Sequence, residues 1–478
     1  MPQEPSRLID WVPVVLRLTL KTPLGVLLAV AGGLVSNQGW LAEPLGLSRP
    51  AEITLGILFV AAVLWVTEAV PLFVTSLTVL ALELVWLAPS LAPTAGGTNL
   101  FLNAFFSDVT LLFLGGFVLS AGIERTRLDR SIARVILARA GSSPRRVLIA
   151  MMLTTALLAM WMSNTAACAL MLGTATPLVA RVPAGDGFRR ALVLGIAFSA
   201  NLGGLATPVS SPPNAIAMRY LESEGIAPGF GTWMIMAIPL VFILQLVLVL
   251  YLGRRFPTQV TTIELALDDV PQRFGLAQAI VLAVFVITVA GWIFSSQLGL
   301  TAGTVALLPI VVFFGTQLLR SHEIRNLPWD VILLIGGGLA LGAAIDQSGL
   351  ATWASGQLPT AGVAPFVLLG IIAVFAAGVS SIMSNTAAIN LIAPIVMGIA
   401  GVPHAALLLV AAFACTLSMP LPVSTPPNAM AYGFSLRPDG KGEFTSRDMV
   451  GPGLFITVAG LALLALFSEV WFPRFFDF

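Results

Sequence analysis

Charge is what this sequence has least of. Asp, Glu, Lys and Arg make up 10% of its 478 residues, where a soluble globular domain carries about 25%. So few charges cannot cover the water-facing surface of a chain this long, which excludes a soluble fold. The formal net charge is +1, so the placement of charge carries more information than its sum, and no nucleic-acid partner is expected. Histidine is nearly absent: His322 and His404 have too few partners nearby for a familiar metal centre and read as loop-end residues. The two cysteines, Cys168 and Cys415, sit inside apolar runs and read as small buried hydrophobes, not as a disulfide framework. The polar stretch 1–10 is followed by Arg17 and Lys21. No compact apolar run with a small-residue cleavage site follows, so a cleaved signal peptide is not expected. What the chain has is hydrophobicity, 57% of its residues with a mean hydropathy of +0.95. That composition predicts an all-α polytopic membrane protein.

The apolar runs predict eleven spans. After an interfacial helix at 10–21, anchored by Trp11 and Arg17, spans are expected at about 22–34, 51–68, 72–88, 108–123, 232–252, 276–296, 299–319, 329–345 and 449–471. Two more, 189–222 and 405–435, are interrupted by Pro-rich polar stretches. Proline removes a backbone donor and breaks the helix. Two further apolar segments, 147–180 and 366–398, are too short for two crossings of roughly 20 residues each. They read as re-entrant helical hairpins.

These interruptions are duplicated. Ser163-Asn164-Thr165-Ala166-Ala167 returns 221 residues later as Ser384-Asn385-Thr386-Ala387-Ala388. Ser211-Pro212-Pro213-Asn214-Ala215 returns 214 residues after itself as Thr425-Pro426-Pro427-Asn428-Ala429. The stretch from Asp108 matches the stretch from Asp330 at an offset of 222. The chain therefore divides into 1–50 (interfacial helix and first span), repeat 1 at 51–255, a cytoplasmic linker at 256–275, and repeat 2 at 276–478. Each repeat has five complete spans and one hairpin. Five is odd, so the repeats are inverted relative to one another. Charge agrees. With the N-terminus in the cytoplasm and the C-terminus outside, only Arg49, Arg219 and Arg474 of the 24 Lys and Arg residues fall outside, as the positive-inside rule demands. The arm 124–146 carries seven arginines, and its repeat partner 346–365 carries no Lys or Arg.

Polar, proline-rich backbone has no reason to sit at membrane depth unless it lines a cavity. Inverted repeats with discontinuous helices mark secondary transporters, with the site near the repeat interface. Helix N-termini suit an anion; broken-helix carbonyls and Asn or Ser oxygens suit a hard monovalent cation. Stretches 163–165, 210–214, 384–386 and 424–428 contain no Lys, Arg, His, Asp or Glu. An anion there is held by hydroxyls, amides and dipoles, with a co-bound cation as its natural partner. An enzyme would need a constellation of titratable groups, so no catalytic residue and no organic cofactor is expected. An ion channel also uses re-entrant loops, but inverted duplication favours a carrier. The clusters Gly115-Gly116 and Gly336-Gly337-Gly338 read as close-packing surfaces. Glu68, Asp108 and Asp330 read as helix-end groups.

The paired Ser-Asn-Thr motifs, the paired Pro-Pro-Asn motifs and the stretch Trp65-Val-Thr-Glu68-Ala-Val-Pro71 resemble the divalent anion/sodium symporter family, carriers of succinate, citrate and sulfate. The resemblance runs from about residue 51 to the C-terminus. It implies a homodimer in the inner or plasma membrane that moves dicarboxylates, most simply C4 acids such as succinate, with sodium by an elevator mechanism. By motif, it implies a substrate site at Ser163, Asn164, Thr165, Ser211, Pro212, Ser384, Asn385, Thr386, Thr425 and Pro426. It also implies two sodium sites, one at Ser163, Asn164 and Ser210, the other at Ser380, Met383, Asn385, Ser424 and Pro426. One departure stands out: four residues before the motif serine, where the family often has a hydroxyl, the first half has Ala159 and the second keeps Ser380. A sodium-independent exchanger and a sulfate-type inorganic anion carrier are the alternatives within the class.

Overall fold

The computed structural model describes residues 22–38, 42–91, 97–263, 274–357, 363–399, 403–434 and 443–476. The expected interfacial helix at 10–21, and 264–273 of the linker, lie outside them. No strand occurs among the described residues. The helices are α1 Thr22–Asn37, α2 Ala42–Leu45, α3 Arg49–Thr67, α4 Leu72–Leu82, α5 Thr98–Phe105, α6 Asp108–Thr126 and α7 Leu128–Ala140. The first helix pair carrying a Ser-Asn-Thr motif is α8 Pro144–Ala159 and α9 Asn164–Ala180, followed by α10 Gly187–Gly203, α11 Pro212–Ser223 and α12 Phe230–Arg255. Then come α13 Leu276–Ile293, α14 Ser295–Leu298, α15 Ala302–Gly315, α16 Trp329–Gln347 and α17 Leu350–Gln357. The last are α18 Pro365–Ile382, α19 Asn385–Met397, α20 His404–Leu417, α21 Pro426–Gly433 and α22 Ser446–Val470.

Among the described residues, eight helical stretches of 18 residues or more are apolar enough to cross a bilayer, Arg49–Thr67, Phe230–Arg255 and Trp329–Gln347 among them. The stretches expected at 22–34 and 299–319 are helical but shorter, their apolar parts being Gly25–Leu34 and Ala302–Gly315. Helix also appears where the sequence pattern suggested only a loop, α5 lying in the Gly/Asn-rich stretch before Asp108; α17 occupies part of 346–365, the repeat partner of the arm.

The chain forms two compact units, each drawing on both halves of the sequence. The first comprises Met1–Ser107, Trp329–Gly362 and Asn390–Gly401. Its glycine cluster lets helices touch backbone to backbone. A Cβ on Gly336 would meet the Phe105 carbonyl, one on Gly337 the Ser76 side chain, and one on Gly338 the Asn390 amide. Ser76 Oγ donates to the Leu334 carbonyl across 3.2 Å at the same crossing. The expected close-packing role of that cluster is borne out.

The second unit comprises Asp108–Pro328, Val363–Ile389 and Val402–Phe478. Here Gly115 packs on Ala306, and Asp108 serves as a helix-end group, though for a neighbouring helix. It accepts from the Thr301 hydroxyl and from the Gly303 N–H (2.9 Å) in the first turn of α15. His404 is no bystander: its Nδ1 lies 2.8 Å from Glu224, tying the start of α20 to the end of α11. A further tie is buried. Arg189 at the start of α10 pairs with Glu443 across 2.8 Å.

Candidate functional site

All the motif residues lie in the second unit. The first motif is a helix start. Ser163 has extended backbone (φ −60°, ψ 144°), and its Oγ accepts from Ala166 N–H (3.2 Å), which caps α9. Ser384 does the same for Ala387 N–H (3.2 Å) at α19. Serine is favoured there because its oxygen satisfies one donor that the helix leaves unpaired. The N–H groups of Asn164, Thr165, Asn385 and Thr386 belong to the first turn and have no intrahelical acceptor by construction. Helices α8 and α9, and likewise α18 and α19, are joined by turns of a few residues, so each Ser-Asn-Thr motif sits at the turn between two helices.

The second motif also starts helices, but differently. Pro212-Pro213 open α11 and Pro426-Pro427 open α21. Proline has no N–H, so these helix starts lack the very donors the Ser-Asn-Thr helices offer. What they present instead is side-chain and carbonyl oxygen.

Each Ser-Asn-Thr turn meets the break of its own half. The Asn164 amide packs on Gly204 so closely that a Cβ there would lie 2.5 Å from its atoms, and Thr207 Oγ1 donates to the Met160 carbonyl (2.7 Å). Ser210 Oγ lies 2.8 Å from both the Gly204 and Thr207 carbonyls, and Asn214 Nδ2 donates to the same two carbonyls at 2.8 Å. In the second half, Ser380 Oγ lies 2.8 Å from Asn385 Oδ1 and 2.9 Å from the Cys415 carbonyl. Ser424 Oγ accepts from Leu421 N–H (3.1 Å) and reaches the Ser381 carbonyl at 3.4 Å. Met383 is buried beside the tip, and Pro426 is exposed. The two halves join where Cys168 Sγ lies 3.7 Å from the Pro427 carbonyl.

Several polar groups have nothing to bind. Asn164 Oδ1 and Asn214 Oδ1, both beside Gly204, are buried without a hydrogen-bond partner among the described residues. The hydroxyls of Thr165, Ser211 and Thr386 make no hydrogen bond among the described residues either. Unpaired buried oxygens cost free energy unless something donates to or coordinates them.

Residues 62–414 match the citrate transporter family (CitMHS). The chain belongs to that family. A sodium-dependent dicarboxylate transporter, SdcS of Staphylococcus saprophyticus, is 30% identical over 467 residues, covering 89% of this chain and 87% of the relative. An uncharacterised transporter of Schizosaccharomyces pombe is 31% identical across 89% of this chain and 50% of its own length. The inorganic phosphate transporter PHO87 of Saccharomyces cerevisiae is 32% identical across 74% of this chain and 39% of its own length. The chain thus spans about half, or less, of the two yeast proteins. Among solved structures, the YdaH transporter of Alcanivorax borkumensis shares the fold. Its TM-score is 0.60 at 14% identity, covering 85% of this chain and 99% of that one. The family expected from the motifs is therefore the one found, and membership of a citrate transporter family makes this a multi-pass membrane transporter.

Knowledge of the family motifs does not lead to Asn201, which the sequence reading missed. It is 1% exposed on α10, and its Nδ2 donates to Thr425 Oγ1 (3.0 Å) and to Asn428 Oδ1 (3.2 Å). The available signal was a lone amide in the apolar part of α10, 191–203, at membrane depth.

Proposed function

We propose that this protein is a secondary active transporter of divalent anions, C4-dicarboxylates such as succinate, coupled to sodium and working by elevator-type alternating access. In this reading it is a homodimer in the inner or plasma membrane, with eleven spans, two re-entrant hairpins and inverted repeats. Its N-terminus is cytoplasmic and its C-terminus outside. The supporting observation is the division of labour between the two motifs. The Ser-Asn-Thr helices present first-turn N–H groups toward an anion. The Pro-Pro-Asn helices lack the N–H groups of their first two positions, and contribute oxygens. A dicarboxylate has a charge at each end, and two donor-rich helix starts, one per half, match it. Ser163, Asn164, Thr165, Ser211 and Pro212 would take one carboxylate, and Ser384, Asn385, Thr386, Thr425 and Pro426 the other.

The oxygens fit sodium, which takes neutral carbonyl and hydroxyl ligands. In the first half, the unpaired Asn164 Oδ1 and the Ser163 and Ser210 oxygens would hold one ion. In the second half, Ser380 and Asn385 turn toward each other, and with Met383, Ser424 and Pro426 would hold the other. The relatives named for sodium-dependent dicarboxylate transport support this assignment. Family and relatives are transporters, which favours transport over catalysis.

One observation favours a second reading. Ala159 offers no oxygen to the first ion site, and a weak site there suits sodium-independent exchange. Uptake of labelled succinate, citrate and sulfate into proteoliposomes, with and without a sodium gradient, separates the readings. Succinate accumulation that needs inward sodium supports symport. Full-speed exchange of internal for external succinate without sodium overturns it, and uptake of sulfate alone overturns the dicarboxylate assignment.

A further inference from the structure

Thr425 Oγ1 takes two hydrogen bonds and gives none. The backbone N–H of Asn428 donates to it at 3.2 Å, as at any capped helix start, and Asn201 Nδ2 donates to it at 3.0 Å. The orientation of the Asn201 amide follows from its neighbours. Asn428 Nδ2 faces two carbonyls, Met419 and Leu421, each at 3.0 Å, and a carbonyl can only accept. That turns Asn428 Oδ1 toward Asn201, so Asn201 must present its NH2 group there, one hydrogen to Asn428 Oδ1 and the other to Thr425 Oγ1. A hydroxyl oxygen has two lone pairs and one hydrogen. With both lone pairs taken, Thr425 can only donate, and its hydrogen has no acceptor among the described residues.

The first half lacks this arrangement. Asn214 Nδ2 faces the Gly204 and Thr207 carbonyls as Asn428 faces its own pair. But 214 residues after Asn201 stands Cys415, which carries no amide. Asn214 Oδ1 is left bare, and Ser211 makes no capping bond. The duplicated motif is therefore completed in one half by a single residue that is not duplicated.

We infer that Asn201 is a positioning residue that holds the Thr425 hydroxyl as an obligate hydrogen-bond donor aimed at a substrate carboxylate, making the second-half end of the site the tighter end. This rests on the proposed dicarboxylate function, and adds that one end of the dianion is selected by an amide outside the motifs. An oxygen that can only donate favours an anion over a neutral analogue, because it offers no lone pair to a donor on the ligand.

The test is a double-mutant cycle in proteoliposomes with succinate as probe. Thr425→Val keeps the shape and removes the hydroxyl. Asn201→Ala removes the amide. Each is expected to raise KM for succinate about tenfold or more, the scale of a lost hydrogen bond to a charged group, with kcat much less changed. The double variant should be no worse than Thr425→Val alone. Asn201→Asp is the isosteric control should Asn201→Ala fail to fold. It has no hydrogen to give, so it takes the Thr425 hydrogen for itself, and KM should rise and then partly recover on acidification as one donor returns. Independent, additive effects of Asn201→Ala and Thr425→Val overturn the inference while leaving the transport function standing. So does an Asn201→Asp variant with unchanged KM. A wild-type protein that neither takes up nor binds succinate overturns the proposed function first, and this inference with it.

Discussion

Ser380 Oγ and Asn385 Oδ1 lie 2.8 Å apart, while at the matching place in the first half Ala159 leaves Asn164 Oδ1 buried and unpaired. The difference has a packing cause. A Cβ on Gly203 would lie 2.8 Å from Ala159 Cβ and would clash with the Ala156 carbonyl, so α8 and α10 approach backbone to backbone beside Ala159, while the crossing of α18 and α20 is bridged by Ser380 bonding the Cys415 carbonyl. The first half has traded a hydroxyl for close packing.

The trade predicts unequal sodium dependence. Sodium needs a full shell of oxygens, and the proposed first site would be one neutral ligand short of the proposed second. Ser380→Ala is expected to raise the sodium concentration for half-maximal succinate uptake several-fold, and Ala159→Gly to leave it within about twofold, each estimated from the loss of at most one neutral ligand. Ala159→Ser is expected to lower it, provided the protein tolerates the extra atom against Gly203. Uptake against sodium concentration for the three variants decides. Equal damage from Ser380→Ala and Ala159→Gly would remove the asymmetry.

The two asparagines carry a simpler expectation. Asn164 and Asn385 each start a helix and stand at the crossing of the two proposed ligand types. Asn164→Ala and Asn385→Ala are each expected to reduce uptake at least a hundredfold, as losing two interactions at a charged site implies, with size-exclusion profile and unfolding midpoint close to wild type. Near-normal uptake with unchanged KM in either variant would misplace the site.

The fold was legible because its signals are physical and local. The apolar runs 147–180 and 366–398, each interrupted by a Ser-Asn-Thr motif, located α8, α9, α18 and α19 within a few residues of their observed ends. The glycine cluster at 336–338 was read as packing, and its neighbours are a carbonyl, a serine and an amide in contact. Two things were not legible. Helix α5 stands in a stretch whose Gly and Asn content suggested a loop, because tertiary packing of Phe101 and Ala104, both buried, overrides weak local propensity. Asn201 escaped because its role depends on which oxygens three-dimensional packing brings to it, and no repeat in the sequence points at it.

Charge asymmetry predicts sidedness. Under the proposed inverted repeat, Arg134 on α7 and Ser355 on α17 would occupy matching regions of the two halves on opposite faces of the membrane. Cys168 and Cys415 are buried, so a background lacking both is expected to keep its fold with small substitutes such as alanine. Single cysteines at Arg134 and Ser355 are then expected to react with an impermeant thiol reagent from opposite sides, position 134 from the cytoplasm. Labelling from one side only would defeat the inverted repeat.

Asp186 gives a test of stability against pH in the segment between α9 and α10. It caps α10, accepting from Phe188 N–H (2.7 Å), and it also accepts from Gln259 N–H (3.0 Å), fixing the chain that follows α12. Partial burial pushes its carboxyl up, but the N–H donors of Gln259 and Phe188 and the Thr258 hydroxyl outweigh it, so the group titrates below the usual aspartate range. A carboxyl depressed in the folded state stabilises above its unfolded pKa, and the contribution is lost as pH falls through the folded value. Asp186→Ala is therefore expected to cost about 1 kcal/mol at neutral pH, the usual worth of such a cap. The gap between variant and wild type should shrink below about pH 4, where the unfolded carboxyl begins to hold its proton. Unfolding midpoints of the detergent-solubilised proteins across pH 3 to 8 provide the measurement, with those limits chosen to bracket roughly the range of an ordinary aspartate. A gap that stays constant from neutral to acid pH would mean that the Asp186 charge contributes nothing, and that its two backbone contacts hold equally well without it.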